Sequence, residues 1–206
     1  MRRSFKVVSF FVVAVSAAFF GVCQAISAPA GPMSVIKNGT DRALNMIKDS
    51  QEGRGPKLSQ QKGEVLRIID EYFNFEEMAK RSLGRPWKDL SPERRTEFVG
   101  LFKQLLFTTY IGKIEGYTGS RDQITYDSEK IDGEFAVGKT RVLNYKNSDI
   151  QIDYRLNLLD GNWKVYDLVV EGISYVDNYR AQFASILANQ SFDVLLKKMR
   201  EKAQSS

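Results

Sequence analysis

Apolar residues recur at a helical spacing over the first half of this chain, alternate with polar ones through a later stretch, and turn helical again at the end. From Met33, the residues Val35, Gly39, Ala43 and Met46 fall near a 3.6-residue period with Ile36 and Ile47 beside them, which predicts a first helix. Asp49 to Pro56 is a polar, glycine-bearing loop. Ser59 can cap a second helix carrying Val65, Leu66, Ile68, Ile69, Tyr72 and Phe73. Asn74, with Glu77 three residues on, reads as a capping-box restart of a short helix through Met78 and Leu83, which Gly84 can end in the left-handed conformation. Ser91-Pro92-Glu93 combines a cap, a proline at the first helical position and an acid in the first turn. The helix it opens puts Phe98, Leu101, Phe102, Leu105, Leu106, Tyr110 and Ile114 on one broad apolar face, and Gly116 to Gly119 ends it.

The period then drops to two. Ile150, Ile152, Tyr154, Leu156 and Leu158 alternate with Gln151, Asp153, Arg155 and Asn157, a strand with one dry face. Asp132-Gly133 and Asp160-Gly161 are hairpin turns, and Lys146 to Asp149 is a third. Four antiparallel strands follow, near 122–131, 134–145, 149–159 and 163–171, with Gly138 marking a bulge in the second. After Gly172 a helix carries Val176, Tyr179, Phe183 and Leu187, and a last helix around Phe192, Leu195, Leu196 and Met199 ends in basic residues. Segregated helical and strand blocks predict an α+β fold: a twisted four-stranded antiparallel meander wrapped by about six helices, a half-open cup whose apolar faces are either packed core or the lining of a pocket.

The N-terminus changes what chemistry is left. Arg2, Arg3 and Lys6 precede an apolar run from Val7 to Val22, and Cys23-Gln24-Ala25 offers small residues for cleavage before Ile26, so residues 1–25 read as a signal peptide. An uncleaved N-terminal anchor is the alternative. Residues 26–32 form an Ala/Pro/Gly lead, expected to be flexible, and 33–206 a single domain. The chain has no histidine, and its one cysteine, Cys23, lies in the segment to be removed. Imidazole acid–base catalysis, thiol nucleophiles, disulfides and ordinary zinc sites are thereby excluded from the mature form. The whole chain has 30 Lys+Arg against 25 Asp+Glu, net +5, and three of those cations leave with the signal, so the mature charge drops to +2. A nearly balanced surface gives no stripe for nucleic acid.

Catalytic patterns are thin. Ser34-Val35-Ile36-Lys37 and Ser59-Gln60-Gln61-Lys62 match S-x-x-K, but the companion elements of that chemistry are missing. Glu76 and Glu77 are an ordinary surface pair, and Asp153 with Arg155 on one strand face predicts cross-strand salt bridges. The sequence therefore points away from an enzyme and toward a binder.

One long stretch is distinctive. Trp163-Lys164-Val165-Tyr166-Asp167-Leu168-Val169-Val170-Glu171-Gly172-Ile173-Ser174, continuing into Asn178-Tyr179-Arg180-Ala181-Gln182-Phe183, resembles the hallmark segment of the MlaC/toluene-tolerance family. Leu83-Gly84-Arg85 with Trp87, Ser91-Pro92-Glu93 with Phe98, and Asp153-Tyr154-Arg155-Leu156 resemble further blocks of it, in order. The resemblance implies a periplasmic phospholipid carrier with lipid as cargo and no cofactor. It implies as partners an outer-membrane lipoprotein–porin complex and an inner-membrane ABC transporter with a membrane-tethered lipid-binding subunit. The chain is expected to act as a monomer, without nucleic acid.

With that implied, the expected pocket walls are Ile152, Tyr154 and Leu156 of the third strand, Val165 and Val169 of the fourth, Leu101, Leu105 and Tyr110 of the long helix, and Phe75 and Met78 near the restart. Arg85 and Arg180 are the head-group candidates. Three other readings stay open: a carrier of another lipid such as a hopanoid, a cup-shaped interaction module with a packed interior, and an envelope hydrolase using carboxylates.

Overall fold

The change of spacing along the chain becomes four helices, a sheet, and two more helices. The computed structural model describes residues 30–115, 117, 123–145 and 147–204; the expected signal, residues 26–29 of the lead, and Gly116 and Gly119 lie outside them. Helix α1 spans Pro32–Gln51. A 3-10 turn at Leu58–Gln61 leads into α2, Lys62–Asp70, and α3 spans Phe75–Leu83. A second 3-10 turn at Arg85–Asp89 precedes α4, Pro92–Glu115. Strands β1 (Ile124–Asp132), β2 (Phe135–Tyr145), β3 (Ser148–Leu159), β4 (Asn162–Val170) and β5 (Ile173–Ser174) follow, then α5 (Tyr175–Leu187) and α6 (Phe192–Gln204).

Local signals account for most boundaries. The Asn74 side chain accepts from Glu77 N at 3.0 Å, while the Glu77 carboxylate turns to Lys80 and Arg81, so only half of the capping box forms. The Ser91 hydroxyl accepts from Arg94 N at 3.4 Å. Ser59 does not cap α2: it sits inside the 3-10 turn, and α2 opens at Gln61 without a side-chain cap.

All strand pairs are antiparallel, in the order β1-β2-β3-β4-β5. The sheet has five strands rather than the four expected. Glu171 and Gly172, at φ +49 and +78, make a two-residue turn that folds Ile173–Ser174 back on β4. Two residues are too few to show a period of two in the sequence. The other stretch of the β4 edge is covered by backbone: Asn74 N donates to Val165 O and Val165 N to Tyr72 O, each at 2.8 Å.

Two bulges set which side chains share a face. Asp127 is the extra residue of β1 and Tyr166 that of β4. Gly138 is not a bulge. It pairs regularly with Glu129 and Tyr154, and it is glycine because a methyl there would overlap Ile36 Cδ1 of α1.

Three apolar clusters hold the fold. The largest joins α3, α4, α5 and α6 around Phe98, Phe102, Tyr179, Phe183 and Leu195. The second seats Ile36 of α1 on Ala136, Leu156, Trp163 and Val165 of the sheet. The third joins Ile47 of α1, Leu58 and Val65 to Phe107 and Ile111 of α4, and contains no strand residue. Helix α4 thus has two buried faces rather than the one expected, the first against α3, α5 and α6 and the second against α1 and α2. No helix among the described residues is long and apolar enough to cross a membrane.

Candidate functional site: a half-covered apolar strip on the sheet

Cross-strand partners point to the same face of a sheet. Val142 pairs with Ile124 and Ile150, Thr140 with Ile152, and Ile152 with Val170. These residues lie on the face that α1 crosses, and all but Thr140 are apolar and half-buried. None of the apolar ones belongs to a packed cluster.

The reason lies in the path of α1. Its first turns press Met33 and Ile36 against Gly138. One turn later Thr40 of α1 and Thr140 of the sheet stand beside the Tyr154 hydroxyl. Beyond Thr40 the helix makes its apolar contacts with α2 and α4 instead of the strands. The strip begins where the helix leaves.

Two aromatic stacks rim it. Tyr117, just after α4, stacks on Tyr145 at the end of β2 with ring centroids 6.0 Å apart. Tyr110 of α4 stacks on Tyr175 at 4.8 Å on the β5 side. The last turns of α4 are thereby tethered to both sides of the strip. Burial pushes the phenols of Tyr110, Tyr117, Tyr154 and Tyr175 above the ordinary tyrosine range, so all are neutral donors at physiological pH. The Tyr117 hydroxyl is buried and has no hydrogen-bond partner among the described residues.

The expected wall residues divide into groups. Ile152 and Tyr154 are on the strip or at its margin, and Tyr110 is on its rim. Leu156 and Val165 share that face but are sealed under α1, at 0% and 2% exposure. Phe75, Met78 and Leu105 are buried in the helical cluster, with Leu101 packed against it, and not on the strip.

Val169 is on the opposite face. It pairs with Asp153 and lines an outer groove of about 330 Å³ with Lys130, Val137, Lys139 and Arg155. The extra residue Tyr166 reverses the parity of β4, so Val165 faces α1, Val169 faces away, and Leu168 and Val170 take the inner positions. Arg180 is also across the sheet, in a second groove with Arg155 and Asp167, and Arg85 adjoins it through Gly84. Neither arginine is near the strip.

Val142, Ile150, Val170 and the Tyr117–Tyr145 pair are the strip residues the sequence reading left out; register, which a single sequence does not display, is what brings them together. Asp167 was also passed over. Its carboxylate, 1% exposed, accepts from Ser174 Oγ at 2.6 Å, Val176 N at 3.0 Å and Arg155 Nη1 at 3.0 Å, which fastens α5 to β4. Asp153 and Arg155 each pair across strands, with Lys139 and Asp167. No group of three or more potential metal ligands occurs among the described residues.

Residues 37–201 match the family model described as MlaC protein. The chain belongs to the MlaC family. Among curated MlaC relatives, the intermembrane phospholipid transport system binding protein MlaC of Haemophilus influenzae is 24% identical over 98% of this chain and 94% of its own length. The toluene tolerance protein ttg2D of Pseudomonas putida is 24% identical over 79% of this chain and 76% of its own. The phospholipid-binding protein of Ralstonia solanacearum, solved in complex with a phospholipid, matches the fold with a TM-score of 0.72 at 25% identity, over 84% of this chain and 97% of that one.

Proposed function

We propose that this chain is a periplasmic carrier that binds a phospholipid and moves it within an ABC-type transport system, between an outer-membrane lipoprotein–porin complex and an inner-membrane transporter with a tethered lipid-binding subunit. The observation that carries the reading is the half-covered apolar strip in a fold shared with a protein solved in complex with a phospholipid. The chemistry fits. Each methylene removed from water stabilises by about 0.8 kcal/mol, so two acyl chains left in water cost roughly 20 kcal/mol, and unaided passage is negligible.

Ile150, Ile152, Val142 and Val170 offer hydrocarbon a dry wall. The buried Tyr117 hydroxyl offers a donor to a glycerol ester or phosphate oxygen. Left unsatisfied, such a group costs about 1–3 kcal/mol. The acyl contacts lie on the strip, with Ile152, Tyr154 and Tyr110 taking part from the residues expected by sequence.

The test is the lipid content of the protein as isolated from the periplasm, by solvent extraction and mass spectrometry. A phospholipid retained in near-stoichiometric amount is expected. A hopanoid in its place would change the cargo. Neither bound lipid nor stabilisation by added phospholipid would sink the reading in favour of a packed interaction module. N-terminal sequencing of the same sample is expected to begin at Ile26.

A further inference from the structure

The side of the sheet away from the strip carries an arginine cluster that lipid binding does not use. A groove of about 160 Å³ at the seam of α3, α5 and β4 is lined by Arg81, Arg155, Arg180, Tyr166, Asp167 and Asp177. Two of the arginines are committed. Arg155 Nη1 lies 3.0 Å from Asp167 and 4.0 Å from Asp177. Arg81 Nε bonds Glu77 at 2.8 Å while its guanidinium covers the Tyr166 ring at 4.3 Å.

Arg180 has no ion pair or hydrogen bond among the described residues, and neither has the adjacent, exposed Arg85. A Cβ on Gly84 would stand 3.3 Å from the Arg180 Nε, so glycine, here at φ +71, gives the exposed guanidinium room beside α3. Beneath it α3 and α5 share a buried core of Ala79, Val176, Tyr179 and Phe183. Beside it Phe135, 47% exposed, meets Tyr166 edge to face at 6.2 Å.

We infer that this seam is a docking site for an acidic segment of a protein partner, with Arg180 and Arg85 pairing its carboxylates and the Phe135–Tyr166 pair flanking it. Arginine with exposed aromatics is the composition of protein interface centres. A planar guanidinium fork loses less freedom per hydrogen bond on pairing a carboxylate than a lysine does. A lipid surface is the poorer occupant. Only two of the arginines here are uncommitted, short of the cluster of roughly four or more cations that draws an anionic lipid surface. The inference rests on the carrier reading only in that a carrier must meet partners.

The test places a photo-crosslinking amino acid at position 184, exposed on α5 one turn beyond Arg180, of the full chain in its native host, with and without Arg180→Glu. Expected is a crosslink to a partner protein at a segment bearing Asp or Glu. Arg180→Glu should weaken it at least tenfold, and reversing the partner's acid should restore it. A crosslink only to lipid, to a second copy of this chain, to an acid-free segment, or undiminished by Arg180→Glu overturns the proposal, as does no crosslink at all. Should Arg180→Glu melt early, Arg180→Gln carries the test with a several-fold weakening. Lipid extraction from the same cells separates the two ideas. Crosslinking lost with lipid retained in the unmodified chain fails the docking site alone, and lipid absent with crosslinking intact fails the carrier.

Discussion

At one end of the face crossed by α1, Ala136, Leu156, Trp163 and Val165 are 0–8% exposed beneath Ile36. Further along the same strands, Val142, Ile150, Ile152 and Val170 are equally apolar and only half-buried. Residue type does not separate the two ends; coverage does. The closed end is a core in the ordinary sense, whose burial on folding supplies stability. At the open end the helix has turned away toward α2 and α4, and the apolar surface stays half-buried. Folding can be driven from one end of a sheet while the other is kept for a guest.

The contrast can be broken by mutation. Leu156→Ala at the closed end should cost about 2–5 kcal/mol in denaturant melts, since the site is fully enclosed. A loss below 1 kcal/mol would mean that this end is no better packed than the other. Ile152→Arg at the open end should change stability by within about 1 kcal/mol yet lower retained phospholipid roughly tenfold. Unchanged lipid in the folded variant would remove the strip from the binding site. By contrast Leu105, 2% exposed in the helical cluster, is a poor probe of lipid binding, because a charge there unfolds the bundle before it reports on cargo.

Tyr117→Phe is a finer test. It deletes a buried hydroxyl that has no partner among the described residues, so the lipid-free protein should hold or gain about 1 kcal/mol while the margin added by phospholipid shrinks. Equal loss in both states would show that the hydroxyl serves the protein alone.

The smallest effect concerns the β1 bulge beside the strip. Arg141 and then Thr125 hold the Asp127 carboxyl below its ordinary value of 3.8. A depressed folded pKa stabilises at neutral pH, and that contribution is lost as pH falls through the folded value. The melting difference between wild type and Asp127→Asn should therefore narrow below about pH 4. A difference constant down to pH 2 would mean that the pair does not pin the bulge.

Much of this was legible from residue patterns. The alternation from Ile150 to Leu158 marked the inner face of β3, and Asp160-Gly161 forms its turn with positive φ at both residues, while the first turn is Gly133-Glu134, one residue later than expected. The family was legible too, because the run from Trp163 to Phe183 extends far beyond any short motif. What stayed hidden depended on relations between elements. Phe75, Met78 and Leu105 have the same character as wall residues, and only the packing of α3, α4 and α5 shows that they are filled in. Arg85 and Arg180 are cations of the right kind for phosphate, but nothing local says on which side of the sheet they stand. Val169 was lost to one inserted residue that alternation does not reveal.

That inserted residue, Tyr166, works as a phase shifter. Before it, odd positions of β4 face α1; after it, even ones do. Were Tyr166 paired in a regular ladder, with no bulge, the second half of the strand would slip by one, turning the Asp167 carboxylate into the greasy side and swinging Leu168 and Val170 out to water. The anchor of α5 and the lining of the strip therefore share one reading frame, and the bulge sets it.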